Sequence, residues 1–264
     1  MEKLKHTFMI CAYGESPYLR ACIESCVNQT LVKAGKSHVQ LYTSTPNDFI
    51  ENLCKAFNIP MFTLQGGGIG KDWNNALSFV ETTYATIAHQ DDVYIPDYGN
   101  LVVQTFEKHK KCNIVFTDYS EIDNKGDLRK RNINLYIKTA GLHMLSILPF
   151  KWYQRRIYAF GNFISCPAVS YNMERLKDFK FDESLKMTLD WDAWERIMKK
   201  EGNVKYIPKR LMFHRIHEDS ETTNNTIDKT REVEEQLLFE RYWGKNISKL
   251  IMKFYTFNQK SNNT

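Results

Sequence analysis

Tyr84-Ala-Thr-Ile-Ala-His-Gln-Asp-Asp-Val-Tyr-Ile-Pro96 decides how this chain is read. Tyr84–His89 has the length and apolar content of a strand, and Pro96 supplies the fixed φ that suits the first turn of a helix. Between them stand two adjacent carboxylates, Asp91 and Asp92. Neighbouring acids at the carboxyl end of a strand repel each other unless positive charge is brought to them. Mg²⁺ and Mn²⁺ prefer oxygen ligands and bind through one or two carboxylates plus phosphate. A divalent ion bridging a diphosphate therefore fits the pair. A solvated turn with an aspartate capping the next helix fits the same residues.

Outward from this stretch, strand and helix signals alternate. His6–Cys11 is a short, mostly apolar run, and Ser16 with Pro17 opens a helix in which Leu19, Cys22, Ile23, Cys26 and Val27 recur at helical spacing. His38–Thr43 alternates as a strand, Pro46 starts a helix through Leu53 and Phe57, and Pro60–Leu64 is a third strand. Asp72–Thr83 predicts a helix, as does Pro96–His109, and Cys112–Thr117 predicts a strand. Strands separated by helices of about ten to fifteen residues give βαβ units. The expected fold is α/β, a mostly parallel central sheet flanked by helices. Ligands in such sheets sit beyond the carboxyl ends of the strands. That rule selects Ala12–Glu15, Thr43–Thr45, Gln65–Lys71 and Gln90–Asp92.

The second half is less regular. Asp123-Asn-Lys-Gly126 is a turn, and Leu135–Phe160 is aromatic and basic without a clear period. Phe163–Tyr171 predicts a strand, Thr188–Lys200 a helix, and Val204–Ile216 two strands broken at Pro208. Helical signals return from Thr226 to Phe257, before a polar tail, Gln259–Thr264. One core over 1–220 with a C-terminal helical extension over 221–264 is the economical division.

Composition narrows the classes. The 264 residues are 42% hydrophobic and 25% charged, which excludes a disordered chain and suits one large domain or two small ones. A chain of this length buries about 70–75% of its unfolded surface and needs no disulfide or structural metal for its core. The net charge of +5, from 36 basic and 31 acidic residues, is mild for a nucleic-acid binder and suits a polyanionic small ligand. Six scattered cysteines, with Cys22 and Cys26 one helical turn apart, complete no zinc spacing and read as buried thiols in a reducing compartment. No uncharged apolar run approaches the ~20 residues of a bilayer span. Phe8–Tyr13 is too short for a signal peptide, so the expected location is cytoplasmic.

Three further segments carry chemistry. Gln65-Gly-Gly-Gly-Ile-Gly-Lys71 fails the Walker pattern, with Gln65 where a glycine is required and Asp72 where Ser or Thr is required. It remains a flexible turn into a helix N-terminus, which can meet a phosphate or ribose or simply close the third strand. Asp190-Trp-Asp-Ala-Trp-Glu195 opens a helix whose apolar face holds Trp191, Trp194, Ile197 and Met198. Asp190 can cap that helix, or serve as general base for an incoming hydroxyl. Arg215-Ile-His-Glu-Asp-Ser220 follows a predicted strand. A lone His is commonly structural, yet beside a metal-binding acid pair His217 becomes a further ligand or a diphosphate contact.

In this order, the constellations resemble the family 2 glycosyltransferases with the GT-A fold. Phe8-Met-Ile-Cys-Ala-Tyr13 is similar to that family's first strand and nucleotide-contacting turn, and Leu19, Glu24-Ser25 and Gln29-Thr30 to the helix that follows. Gly70 through Asn74-Asn75-Ala76-Leu77 resembles its glycine-to-asparagine segment. His89-Gln90-Asp91-Asp92 occupies the place of its Asp-x-Asp motif. Phe116-Thr-Asp-Tyr119 with Ile122-Asp123 and Gly126 looks like its next strand and turn. Asp190-Trp191 stands at its catalytic acid motif, and Arg215-Ile-His217 with Ser220 at its late His. The likeness spans most of residues 6–220. Three departures stand out: His89 replaces the first acid of the triplet, Thr43-Ser-Thr-Pro-Asn47 replaces the usual paired aspartates, and Leu189 stands where a Glu often precedes the catalytic Asp.

The resemblance implies a nucleotide-binding part over about 1–127 and an acceptor part over about 128–220. It implies an inverting, single-displacement transfer from a nucleotide-diphosphate sugar to a hydroxyl of a saccharide or lipid-linked acceptor, in cell-surface polysaccharide or glycan synthesis. Asp190 is then the catalytic base, and Asp91, Asp92 and His217 are the candidates for holding Mn²⁺ or Mg²⁺. Ala12, Tyr13, Glu15, Thr43, Gly70, Asn74, Gln90 and Asp91 are expected at the nucleotide. Trp152, Arg155, Asn162 and Trp191 are expected at the acceptor, because aromatic rings stack on sugar faces and Arg pairs with phosphate. No nucleic-acid partner is expected. Lys245–Phe257 mixes Lys with Ile, Leu and Phe, so the C-terminal helices can touch the inner face of a membrane. Two other classes share these features. One is a nucleotidyltransferase making a nucleotide sugar, against which stands the lack of a Gly-rich, basic triphosphate loop after the first strand. The other is a non-catalytic nucleotide- or glycan-binding domain, suggested by His89 and the altered end of the second strand.

Overall fold

The computed structural model describes residues 4–217 and 230–260. Four strands run parallel: β1 (His6–Ala12), β2 (Ser37–Thr43), β3 (Met61–Thr63) and β4 (Tyr84–His89). With β5 (Val93–Tyr94), β6 (Cys112–Ile122), β7 (Val169–Asn172) and β8 (Asn203–Arg215) they form a mixed eight-stranded sheet, ordered β3-β2-β1-β4-β7-β6-β8-β5. β7 is antiparallel to β4 and β6, β5 is antiparallel to β8, and β6 and β8 are parallel. The register sets Ala12 beside Thr43 and Cys11 beside His89, so the turns after β1, β2 and β4 emerge together at one edge.

Helices cover both faces, which is why β1 and β4 are apolar almost throughout. On one side α1 (Leu19–Val27), α2 (Thr30–Lys33), α3 (Asp48–Phe57) and α5 (Tyr98–Lys108) pack around Phe8, Ile10, Val39 and Leu41. On the other, α4 (Ile69–Ser78), α6 (Ile133–Ile147), α7 (Lys151–Tyr158), α8 (Leu189–Lys199) and α9 (Thr230–Lys260) enclose Ala85, Ile87, Ile114 and Phe116. α9 bends at Gly244, whose φ is 70° and ψ 170°. The C-terminal helices are thus part of the second core, through Leu238, Phe239 and Met252.

Several boundaries differ from the sequence reading. The unassigned stretch Leu135–Phe160 is helical, as α6 and α7. Pro208 does not break β8: the pairing steps from Thr117 opposite Ile207 to Asp118 opposite Arg210, so Pro208 and Lys209 bulge from one continuous strand. A bulge leaves no ladder hydrogen bond for the missing proline N–H to make. β7 is confined to Val169–Asn172 because Pro167 sits in a 3₁₀ turn, Cys166–Ala168. α4 begins before Asp72, since Gly68 at φ 109° turns the chain into the helix early. Ser220, the division at 220/221 and the expected helix start at Thr226 lie outside the described residues, as does the end of the polar tail. All six cysteines are free thiols. No helix among the described residues is long and apolar enough to cross a membrane.

Candidate active site

The strand ends open into a cavity of about 840 Å³, lined by Ala12, Tyr13, Glu15, Gln90, Asp91 and Asp92 together with Ser44, Thr45, Gly66–Gly68 and His217. Its rim is tied locally. Tyr13 N–H donates to Gln90 Oε1 (2.9 Å), and Gln90 Nε2 donates back to Tyr13 O (3.2 Å). Gly14, at φ +60°, turns the chain so that its N–H reaches Thr45 Oγ1 (2.8 Å). The Tyr13 ring is 65% exposed at the mouth.

The two adjacent carboxylates separate in role. Asp92 is 1% exposed, and its Oδ1 accepts from the backbone N–H of Arg215 and meets His214 Nδ1, both at 3.0 Å. Burial works against a charged His214, but the Asp92 carboxylate outweighs it and pushes the imidazole above its ordinary pKa. Asp92 therefore anchors the end of β8. Asp91 keeps a solvent-facing carboxylate: Ser16 Oγ donates to its Oδ1 (2.7 Å), and His217 Nε2 stands 3.4 Å from its Oδ2. Arg215 completes the corner, donating from Nε to Asp91 O and from Nη1 to Asp123 O, with its guanidinium over the Tyr18 ring. His89 lies flat against Trp73, with ring centroids 5.1 Å apart, and burial lowers its pKa toward a neutral imidazole.

At the opposite wall, Asp72 in the first turn of α4 accepts from Ser44 Oγ (2.9 Å) and Tyr42 OH (3.4 Å). Asn75 Nδ2 in turn donates to Tyr42 OH (2.9 Å). The end of β2 carries no acid of its own, yet α4 folds a carboxylate against it.

Asp190 stands apart from the cavity wall, at the start of α8. Its Oδ2 accepts from Asn162 Nδ2 (2.8 Å) and its Oδ1 from Trp191 N–H (2.7 Å), while Asn162 Oδ1 is held by Tyr158 OH. Burial pushes the Asp190 carboxyl above its ordinary pKa; Asn162, the Trp191 N–H, Arg231 and Lys138 pull it back only in part. Asp190 is half-buried. The segment entering α8 is clamped from α9. Glu234, itself buried, accepts the N–H groups of Lys186, Met187 and Thr188 at 2.9–3.0 Å. Further along α8, buried Asp192 and Glu195 are paired by Arg155, Arg196, Lys199 and Arg241.

The residues expected from sequence thus divide. Ala12, Tyr13, Glu15, Gln90, Asp91, Asp92 and His217 share one cavity. Thr43 is fully buried, with Oγ1 accepting from Thr45 N–H, and so shapes the turn rather than the wall. Gly70 is packed against Asp182 and Glu183, and Asn74 spends its amide on both backbone groups of Phe181 and on Glu183, so neither lines the cavity. Trp191 is 1% exposed, edge-on to Phe239, and belongs to the core rather than to an acceptor surface. Arg155 is committed to Glu195, and Asn162 to Asp190. Trp152 is exposed on α7. The sequence reading missed Asp72, Glu234 and Tyr158. Only Asp72 had a local signal, an acid in the first turn after the glycine loop.

The family described as glycosyl transferase family 2 matches residues 7–178. An uncharacterized glycosyltransferase of Rickettsia typhi is 24% identical over 251 residues, covering 92% of this chain and 72% of that protein. The chondroitin synthase of Escherichia coli is 22% identical over 259 residues, 96% of this chain but 34% of the synthase. Among solved structures, S. aureus TarS 1-349 in complex with UDP-GlcNAc superposes with a TM-score of 0.61 at 14% identity, over 94% of this chain and 70% of that one. A mannosyltransferase from Pyrobaculum calidifontis in complex with GDP-Man and Mn²⁺ gives 0.63 at 12% identity, over 90% and 63%. At these identities the structural likeness establishes the GT-A fold.

Proposed function

Because the chain belongs to glycosyl transferase family 2, we propose that this glycosyltransferase moves a sugar from a nucleotide-diphosphate donor to a hydroxyl of a saccharide or lipid-linked acceptor, with inversion. The observation that carries the reading is the cavity at the ends of β1, β2 and β4, with Asp91 facing it, together with a half-buried, raised-pKa Asp190 at the start of α8. Asp190 takes the acceptor's proton as the oxygen attacks the anomeric carbon, and the nucleoside diphosphate leaves with the bonding pair. A carboxylate whose pKa is raised holds that proton better than an ordinary Asp, and such help is worth about 10²–10⁴-fold. Asn162 and the Trp191 N–H fix the carboxylate's orientation.

A divalent ion suits the acid corner. Asp91 presents a carboxylate to the cavity, and Asp92 Oδ2 is buried without a hydrogen-bond partner among the described residues. No three His, Cys, Asp or Glu side chains there are grouped to hold a metal, which leaves the remaining positions to donor oxygens, as Mg²⁺ and Mn²⁺ allow. Asp91 would hold the ion, with Asp92 behind it and His217 beside it; bound there, the ion would offset the charge of the leaving diphosphate. Tyr13 and Glu15 flank the nucleotide. Asp72 stands in for the missing acids at the end of β2: a carboxylate accepts but cannot donate, so it favours a base with a ring N–H, namely uracil, thymine or guanine. The similarity to a chondroitin synthase supports a polysaccharide product.

Thermal unfolding with UDP, GDP, dTDP and CMP, each with and without Mn²⁺, tests the donor half. A ligand at about 100 times its Kd adds roughly 2.7 kcal/mol, several degrees for a chain of this size. A metal-dependent rise with a uracil, thymine or guanine diphosphate is expected; no rise with any of the four rejects the donor site.

A further inference from the structure

The outer face of α6 and the turn into α7 take no part in this chemistry. α6 turns Leu135, Leu142 and Leu145 into the core, while Ile133, Ile137, Met144 and Ile147 recur at helical spacing on the opposite, exposed side. A helix that is apolar on both sides is normally enclosed. Phe150 and Trp152 carry the exposed strip onward into α7. Of the sixteen large apolar side chains exposed among the described residues, ten fall between Leu128 and Phe160. Clustering of this kind marks an interaction surface rather than ordinary scatter.

Charge names the occupant. From Leu128 to Met173 the sequence holds seven Lys and Arg and not one Asp or Glu, although the whole chain is only +5. Arg129 and Lys130 before α6, and Lys151 and Arg156 in α7, are exposed and bracket the apolar strip in the sequence, Arg156 lying over the Trp243 ring. A second copy of this chain would set one cationic rim against another, which repels. An anionic bilayer meets every part of the surface. Apolar side chains enter the acyl boundary, Lys and Arg meet lipid phosphates, and the Trp152 and Tyr136 rings suit the headgroup layer. The C-terminal helix offers a poorer match: among the described side chains of α9, Val233 and Leu237 are exposed in a first half that also carries Glu232 and Glu240, and only Ile247 and Leu250 are exposed among Lys245, Lys249 and Lys253. We propose that the outer face of α6 with the start of α7 seats this protein on an anionic phospholipid membrane. α7 links that surface to α8 through Arg155 and Glu195 at 3.1 Å, so the helix that opens at Asp190 is held at a fixed distance from the bilayer.

Cosedimentation of the full chain with vesicles of equal parts phosphatidylglycerol and phosphatidylcholine, against phosphatidylcholine alone, tests this. Binding that requires phosphatidylglycerol and weakens with added salt is expected. Ile137→Glu with Ile147→Glu should weaken it by roughly tenfold or more, and Lys130→Ala with Lys151→Ala by about fivefold per charge. All four side chains are exposed, so an unchanged thermal midpoint is the check on folding. Ile247→Glu with Leu250→Glu, on α9, should leave binding as it was. Equal sedimentation with both vesicles overturns the proposal, as does loss of binding only in the α9 variant. So does a wild-type oligomer in solution that the Ile137/Ile147 variant converts to a monomer, because that assigns the surface to a protein contact.

Discussion

Around the cavity, each polar group sits within a few residues of a strand end, and most of its partners are its neighbours across the sheet: Tyr13 with Gln90, Gly14 with Thr45, Ser16 with Asp91. Around Asp190 the partners come from far along the chain. Asn162 and Tyr158 arrive from the end of α7, and Glu234 reaches over from α9 to hold the segment entering α8. The first arrangement follows from parallel strands in register, which deliver several turns to one edge. The second depends on helices that pack only once the sheet exists. On the proposed roles, a site built this way can keep its donor pocket while losing its catalytic group, so the two regions can be damaged separately.

The sharpest break is Asp190→Asn, which keeps the side chain's shape and removes the proton acceptor. Transfer should fall about 10²–10⁴-fold, while the nucleotide-induced shift in unfolding midpoint stays as in the wild type. Loss of both together would mean that the two regions form one unit. Next comes Glu234→Ala. Three N–H groups, that of Thr188 buried and those of Lys186 and Met187 partly so, lose a charged acceptor, at a cost on the order of 3 kcal/mol, which a thermal or urea melt reads directly. Turnover should drop with the altered placement of Asp190, and donor affinity should not. Glu234→Gln, which keeps one accepting oxygen, should fall between wild type and Ala in both readouts.

The same contrast decides what the sequence could show. The strand-end rule selected four segments, and all four contribute to the cavity wall, because position in a parallel sheet is encoded in a short apolar run and the turn behind it. Asp190 was legible as an acid at a helix start. What it needs was not: nothing near Glu234 in the sequence says that it will accept from Lys186, Met187 and Thr188. Trp191 shows the opposite error. An aromatic beside an acid reads as a sugar platform, yet its neighbour Phe239, far along the chain, encloses it in the core. Leu135–Phe160 stayed unassigned because α6 is apolar on two sides, which blurs the period that a one-faced helix displays.

A smaller effect tests the donor side alone. Asp72→Asn replaces an acceptor with a group that also donates, so affinity for UDP or GDP relative to CDP should fall about tenfold, read by competition for the nucleotide site. Transfer from saturating donor should change little, since Asp72 belongs to the cavity wall and not to the surroundings of Asp190.

The finest separation comes from pH. Asp190 must be ionised to accept a proton, and its pKa is raised above the ordinary carboxylate value, first of all by burial. Activity should therefore begin to fall, as pH drops, at a higher pH than an exposed Asp would give. The hydrogen bond from Asn162 favours the ionised form and holds that rise in check. Asn162→Ala removes it, so the acid limb of kcat should move further toward neutral pH, with activity at high pH reduced less than activity at low pH. A residue that only packs would lower kcat equally across the range. An acid limb that stays in place in Asn162→Ala, with donor affinity unchanged, would show that Asn162 orients Asp190 without tuning it.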